Sequence, residues 1–196
     1  VLYGEGGASY LAKRIMAIAM GELMARPAEH AGPKALSAAD RMLICYGDSV
    51  RDEPGMPLSA LRQFATQYLL NSISTLHILP FFPSSSDDGF AVIDYRTVRR
   101  DLGDWSDINA LSADFDLMFD LVINHCSREN LWFADFVGGR EPGCDYFHEM
   151  PSMVGLESVV RPRNSPLLTH VHTYQGIKRV WTTFSDDQID LNFANP

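Results

Sequence analysis

Three short clusters of polar residues each follow an apolar run, and their side chains can ionise or form hydrogen bonds. They are Gly47–Ser49, Ser84–Gly89 and Asn124–Ser127. Carboxylates accept hydrogen bonds, and an imidazole such as that of His125 supplies a donor that can fix a ligand hydroxyl. Adjacency does not make His125 and Cys126 a nucleophilic pair, because neighbouring strand residues point to opposite faces. The chemistry expected of these clusters is therefore ligand binding.

The elements that must position these clusters alternate between strand and helix. Short apolar runs bounded by polar turns predict strands at Met42–Tyr46, Thr75–Leu79 and Leu117–Ile123. Apolar spacings of three and four predict a helix over Leu58–Leu69, and a shorter one covers Trp105–Leu111. This α/β pattern predicts a parallel sheet with right-handed crossovers, in which ligands gather at the carboxyl ends of the strands.

The regions before and after this pattern differ from it. Residues 8–25 read as an amphipathic packing helix; the alternative, a secretory signal, is disfavoured by Glu22 and Arg26. Beyond Asn130 we predict a helix over Leu131–Val137 and a hairpin of Leu168–Tyr174 with Ile177–Phe184. A small domain inserted after the third strand explains this change most economically.

Composition and charge exclude several classes of protein. The 196 residues are 46% hydrophobic and 21% charged, as in a globular domain. The formal charge of −9, without a stripe of Lys and Arg, argues against a nucleic-acid partner. Three cysteines without CxxC spacing suit a reducing compartment, so we expect a cytoplasmic protein. We also expect no membrane partner.

Five motifs together resemble the α-amylase family, glycoside hydrolase family 13, in its sucrose phosphorylase branch. Asp120-Leu-Val-Ile-Asn-His125 looks like the family's first signature. The others, in the order seen in that branch, are His77–Phe82, Asp87–Phe90 with Ile93–Tyr95, Leu102–Asp107, and Trp181–Phe184 leading to Asp187–Asn192. The resemblance covers roughly residues 40 to 196.

The resemblance implies the first part of a (β/α)₈ TIM barrel, with about three βα units and a domain B inserted after strand 3. Residues 1–40 would be an N-terminal helix and linker, 41–127 the barrel strands 1–3, and 128–196 domain B and the return towards the barrel. A complete barrel takes about 250 residues, so this segment by itself is expected to be inactive.

The activity implied is that of a glycoside phosphorylase working by retaining double displacement, with no cofactor. A glucosyl unit would move from sucrose, sucrose 6-phosphate, glucosylglycerate or glucosylglycerol to inorganic phosphate. The nucleophile and the general acid are expected beyond Pro196, so no catalytic residue is assigned here. Two alternatives stay open: an α-amylase-type hydrolase or transglucosylase, and a non-catalytic carbohydrate-binding fragment.

Individual roles follow from matches to the family motifs. His125 and Asp87 would bind the glucosyl unit, with Tyr46 and Phe90 as walls that could equally be core. Asp88 stands where true sucrose phosphorylases commonly have alanine. Within an apolar strand, Asp120 should meet a cation or several donors, because a buried carboxylate is costly unless paired.

The remaining roles concern anions, metals and partners. Asn124 would support the site; it is a calcium ligand in many amylases, but we expect no metal in this branch. Arg163 and Arg161 are the phosphate candidates, because a guanidinium offers a planar fork of donors to an oxyanion; either could instead be an ordinary surface arginine. The expected partners are a small sugar substrate and phosphate, and the resemblance leaves a homodimer possible.

Overall fold

A computed structural model of the chain describes residues 9–18, 37–38, 40–150, 155–160 and 163–195, and it divides into two compact units. Residues 1–36 and 192–196 form the first unit, in which residues 9–18 are a helix, α1. The predicted helix is confirmed over that stretch. The prediction that one face of this helix is packed is not confirmed, since Ile15, for example, is 65% exposed. Residues 19–25 lie outside the described residues.

A three-stranded parallel sheet opens the second unit, residues 37–191. Its strands β1 (Met42–Cys45), β2 (Thr75–Ile78) and β3 (Asp116–Phe119) lie in that order. Leu43 is in register with Leu76, and Leu76 with Leu117. The predicted parallel sheet is confirmed, although β3 ends four residues earlier than expected.

Two helices cover one face of this sheet. Helix α2 (Pro57–Tyr68) begins with a proline, whose missing N–H leaves no helix bond unmade at that position. Helix α3 (Trp105–Ser112) begins with a reciprocal capping box between Asp104 and Asp107. The core between helices and sheet includes the buried side chains of Leu58, Ala65, Leu76, Ile78, Phe81, Ile108 and Leu111.

The other face of the sheet is exposed. The apolar run of β1 suits a buried parallel strand, but Ile44 is 59% exposed and Met42 and Met118 are also exposed. The reason is that the described residues cover this face incompletely.

Antiparallel elements make up the rest of the second unit. The short strands β4 (His125–Ser127) and β7 (Gln188–Asp190) pair with each other. Helix α4 (Leu131–Gly138) packs near a hairpin, whose strands are β5 (Leu168–Thr173) and β6 (Gly176–Trp181). The hairpin and α4 confirm the sequence prediction. The Asn124–Ser127 cluster was expected to close the third strand; its residues 125–127 instead form the separate strand β4.

A second core lies between these elements. Its buried members are Cys126, Phe133, Phe136, Phe147, Val171, Val180 and Ile189. Because Cys126 and Ile189 come from β4 and β7, this core fixes the two short strands against α4 and the hairpin. Those strands carry His125 and Gln188.

Candidate functional site

One open pocket of about 420 Å³ gathers five of the predicted site residues. They are Tyr46, Asp87, Phe90, His125 and Arg163. Three further residues complete its lining: Asp88, Phe184 and Gln188. We call it the Asp87 pocket. Its residues come from the carboxyl ends of β1 and β2, from β4 and β7, and from the segments before and after the hairpin.

The loop after β2 places Asp87 through an unusual backbone. Asp87, Asp88 and Gly89 have φ angles of 54°, 50° and 104°. A Cβ atom on Gly89 would lie 2.5 Å from the carbonyl oxygen of Pro80, so both the φ angle and the space require glycine there. Ser85 and Ser86 donate to the carboxylate of Asp187 at 2.6 and 2.5 Å, which ties the loop to the chain just before β7.

The carboxylate of Asp87 is shared by an arginine and an amide. Arg163 donates to its two oxygens at 3.1 and 3.3 Å. Gln188 Nε2 donates to Oδ2 at 2.9 Å. The predicted phosphate residue and the predicted sugar residue are therefore ion-paired with each other.

His125 lies buried against the rim of the pocket. Its ring packs on that of Phe184 with 4.9 Å between centroids, and its Nε2 is 3.0 Å from the carbonyl oxygen of Phe90. A carbonyl can only accept, so we assign the ring hydrogen to Nε2; Nδ1 then faces the Asn124 amide nitrogen at 3.4 Å. Burial lowers the pKa of His125, partly opposed by this bond and by Asp190 and Asp87, which favours a neutral ring.

Gln188 is the site residue that sequence reasoning missed. It is 1% exposed, and its Oε1 accepts from Ser185 Oγ at 2.9 Å, which turns Nε2 towards Asp87. Its Nε2 also lies 3.1 Å from His125 Nε2, but with the hydrogen on the imidazole both atoms are donors, so we do not count that contact as a hydrogen bond. The sequence signal was a glutamine inside the Asp187–Asn192 motif.

Asp190 is a second buried polar residue without an assigned role from the sequence. It pairs with His125 in the β4–β7 register, and its carboxylate accepts from the hydroxyl and the backbone N–H of Thr183. Burial raises the pKa of Asp190, while the bonds from Thr183 lower it. Its negative charge favours protonation of His125, although less strongly than burial opposes it.

Asp120 and Asn124 lie outside the Asp87 pocket lining. Asp120 accepts from or pairs with His77 Nε2 at 3.0 Å, so the expected partner exists. The expectation that it is buried within a strand was wrong: β3 ends at Phe119, and the Asp120 side chain is 27% exposed. Asn124 is exposed, and Arg161 lies outside the described residues.

Other chemistries find less support among the described residues. In that part of the chain, no group of three or more His, Cys, Asp or Glu side chains could hold a metal ion. Burial raises the pKa of Cys126 to about 12, so its thiol is unsuited to act as a nucleophile. Within the same residues, no helix is long and apolar enough to cross a membrane.

Comparisons with known proteins agree with the resemblance seen in the motifs. Residues 67–196 match the family model "Alpha amylase, catalytic domain". A glucosylglycerate phosphorylase of Spirochaeta thermophila is 46% identical over 161 residues, which are 82% of this chain and 27% of that protein. A sucrose phosphorylase of Streptococcus mutans is 32% identical, over 77% of this chain and 33% of that protein.

A solved structure shows the same arrangement of elements. The sucrose 6F-phosphate phosphorylase from Thermoanaerobacter thermosaccharolyticum superposes with a TM-score of 0.70 at 32% identity, covering 81% of this chain and 34% of that one. The α/β fold is therefore of the type found in these barrel enzymes. The chain spans between a quarter and about a third of the length of these relatives.

Proposed function

The chain belongs to the α-amylase family, and we therefore propose that the protein containing it is a retaining glycoside phosphorylase. It would move a glucosyl unit reversibly between a small glucoside and inorganic phosphate, giving glucose 1-phosphate. The observation that carries the proposal is the meeting of Asp87, His125 and Arg163 in one pocket. A sugar-binding pair and an anion-binding group are what phosphorolysis needs side by side.

Asp87 and His125 hold the glucosyl unit in this proposal. The carboxylate of Asp87 accepts hydrogen bonds from sugar hydroxyls, and such charge-assisted bonds are stronger than neutral ones. His125 stays neutral because burial lowers its pKa, so its Nε2 hydrogen is available for sharing between the Phe90 carbonyl and a ligand oxygen. Phe90 and Phe184 supply apolar walls.

Arg163 is the proposed phosphate residue. Its guanidinium stays charged at any working pH and reaches the pocket from the segment before the hairpin. Here it is paired with Asp87, and a bound phosphate would compete for that guanidinium. An arginine with a purely structural role would make the same ion pair with Asp87. The contact is therefore also compatible with a hydrolase, which needs no phosphate-binding residue and is the second candidate function.

Glucosylglycerate is the first substrate to test. The glucosylglycerate phosphorylase is 46% identical to this chain, against 32% for the sucrose phosphorylase. Asp88 lines the pocket and stands where the resemblance places alanine in plain sucrose phosphorylases. Both points favour an acceptor other than fructose.

We also propose that residues 128–196 form an inserted domain and the return towards a barrel whose first strands are β1 to β3. Support comes from the change from parallel to antiparallel pairing after β3 and from the separate core around Phe133, Phe136 and Phe147. This domain would place Arg163 over the carboxyl ends of the parallel strands.

The deciding experiment measures glucose 1-phosphate release by the full-length protein. Glucosylglycerate, sucrose, sucrose 6-phosphate and glucosylglycerol are each supplied with and without phosphate, to wild type, Arg163→Gln and the control Arg140→Gln. Arg140 is an exposed arginine paired with Asp135, outside the pocket. Phosphate-dependent product that falls only in Arg163→Gln supports the proposal; free glucose irrespective of phosphate would establish a hydrolase instead.

A further inference from the structure

A second pocket, of about 410 Å³, shares no lining residue with the Asp87 pocket. It lies between the segment 93–96, which follows the Asp87 loop, and the segment 129–132 at the start of α4. Its aromatic lining consists of Tyr95 and Trp132, so we call it the aromatic pocket. Nothing in the proposed phosphorolysis uses it.

Its aromatic side chains are held in place by packing on both sides. The rings of Tyr95 and Trp132 are stacked with 5.8 Å between centroids, and Trp132 meets the edge of Tyr146 at 5.8 Å. Trp132 still keeps 37% of its surface exposed. A rigid aromatic wall that is half open offers apolar surface to a ligand at little cost in conformational entropy.

Polar groups surround that wall. The carboxylate of Asp94 accepts from the backbone N–H of Arg96, which is the main reason its pKa is lowered, so it is ionised at neutral pH. The Glu129 side chain is exposed and makes no hydrogen bond or ion pair with the other described residues. The lining of the aromatic pocket therefore holds two carboxylates, those of Asp94 and Glu129, and one guanidinium, that of Arg96, so it carries an excess of negative charge.

We propose that the aromatic pocket is a second binding site for an uncharged sugar. Aromatic surface packs against the C–H faces of a pyranose ring, while carboxylates accept hydrogen bonds from its hydroxyls. The negative excess favours an uncharged sugar over a phosphate ester or a sugar acid, because like charges repel. The pocket volume suits a mono- or disaccharide.

The inner wall of this site is connected to the strand that carries His125. The hydroxyl of Tyr95 donates to the His125 backbone carbonyl at 3.0 Å. That bond fixes the position of Tyr95 within the pocket. It also links the aromatic pocket to β4, whose residue His125 lines the Asp87 pocket.

The test is calorimetric titration of the full-length protein with methyl α-D-glucoside. Wild type, Asp87→Asn, Glu129→Gln and Asp87→Asn combined with Glu129→Gln are compared. A glucoside-binding site that survives Asp87→Asn and is weakened about tenfold or more by Glu129→Gln, the loss expected for a hydrogen bond to a charged group, supports the proposal. Trp132→Phe, which keeps an aromatic wall of smaller area, should weaken the same site less than Trp132→Leu.

Two results would overturn it: binding that disappears with Asp87→Asn alone, or residual binding that Glu129→Gln leaves unchanged. Phosphorolysis is measured on the same samples and should be unaffected by Glu129→Gln. A protein that fails to make glucose 1-phosphate but keeps the second site would refute the proposed function and leave this inference standing.

Discussion

Arg163 donates to both carboxylate oxygens of Asp87, at 3.1 and 3.3 Å, although the two residues are 76 positions apart in the sequence. Each neutralises the other at the mouth of the pocket. The side chains are 53% and 28% exposed, so the pair is screened by solvent and contributes at most about 1 kcal/mol. An ion pair of that strength can break so that Asp87 and Arg163 contact a ligand instead.

Replacing Asp87 with Asn should separate sugar binding from phosphate binding. Loss of the charged acceptor should lower kcat/KM for the glucoside by about tenfold to a hundredfold, since hydrogen bonds to charged groups contribute about 1.5–3 kcal/mol. Release of Arg163 should tighten phosphate binding by up to about fivefold. Calorimetry with inorganic phosphate and initial-rate kinetics measure the two effects. Asp101→Asn, at an exposed carboxylate that pairs with Arg99 outside the pocket, is the control, and phosphate binding that weakens in Asp87→Asn would contradict the ion-pair argument.

Gln188→Leu should damage both the site and the fold. The substitution leaves Asp87 without one donor and Ser185 without its acceptor, so we expect a loss of about 1–3 kcal/mol in the free energy of unfolding. It should also lower kcat/KM, because Asp87 is no longer fixed. Gln175→Leu in the exposed hairpin turn is the matched control for chemical denaturation. Equal effects of the two changes would refute a positioning role for Gln188.

The buried His125 should make stability depend on pH. Because burial lowers its pKa in the folded protein, the unfolded chain binds a proton at a higher pH than the folded chain does. The free energy of unfolding therefore falls as the pH drops below about 6.5 and is fully retained above it. Urea unfolding at pH 7.5 and 5.5 should show a larger loss for wild type than for His125→Gln. The exposed His172→Gln serves as control and should behave as wild type.

Gly89→Ala should destabilise the loop that presents Asp87. Alanine at a φ of 104° is strained, and its Cβ would also meet the Pro80 carbonyl oxygen at 2.5 Å. Gly176 in the hairpin turn has a similar φ of 109° with nothing within 4 Å, so Gly176→Ala isolates the backbone cost alone. The melting temperature and kcat/KM should both fall further for Gly89→Ala than for Gly176→Ala. Equal losses would show that Pro80 moves aside and that its contact adds no cost.

Local patterns in the sequence predicted several elements well. The apolar runs before Tyr46 and Leu79 form parallel strands, and the spacing of Leu58, Leu61 and Ala65 forms the buried face of α2. The hairpin around Gln175 and Gly176 is also where alternation placed it. These elements could be predicted because each buries one face against a neighbour. Burial of one face sets the spacing of apolar residues along the segment, and that spacing can be seen in the sequence.

The strand at His125 shows where such patterns fail. Residues 125–127 close the third apolar run of the sequence, yet in the structure they pair with Gln188–Asp190 more than sixty positions later. No local spacing records a partner that remote, so neither β4 nor the role of Gln188 could be predicted. The exposed face of β1 likewise depends on which elements cover the sheet and not on the apolar run itself.

By itself the sequence determined the alternation of strands and helices, and with it the gathering of polar clusters at the carboxyl ends of parallel strands. The tertiary structure alone decided that Gln188 joins the site, through antiparallel pairing with β4, and that the predicted Arg163 pairs with Asp87. The physical reason is that strand pairing and charge contacts act between atoms close in space, whereas residue periodicity reports only what a single segment buries.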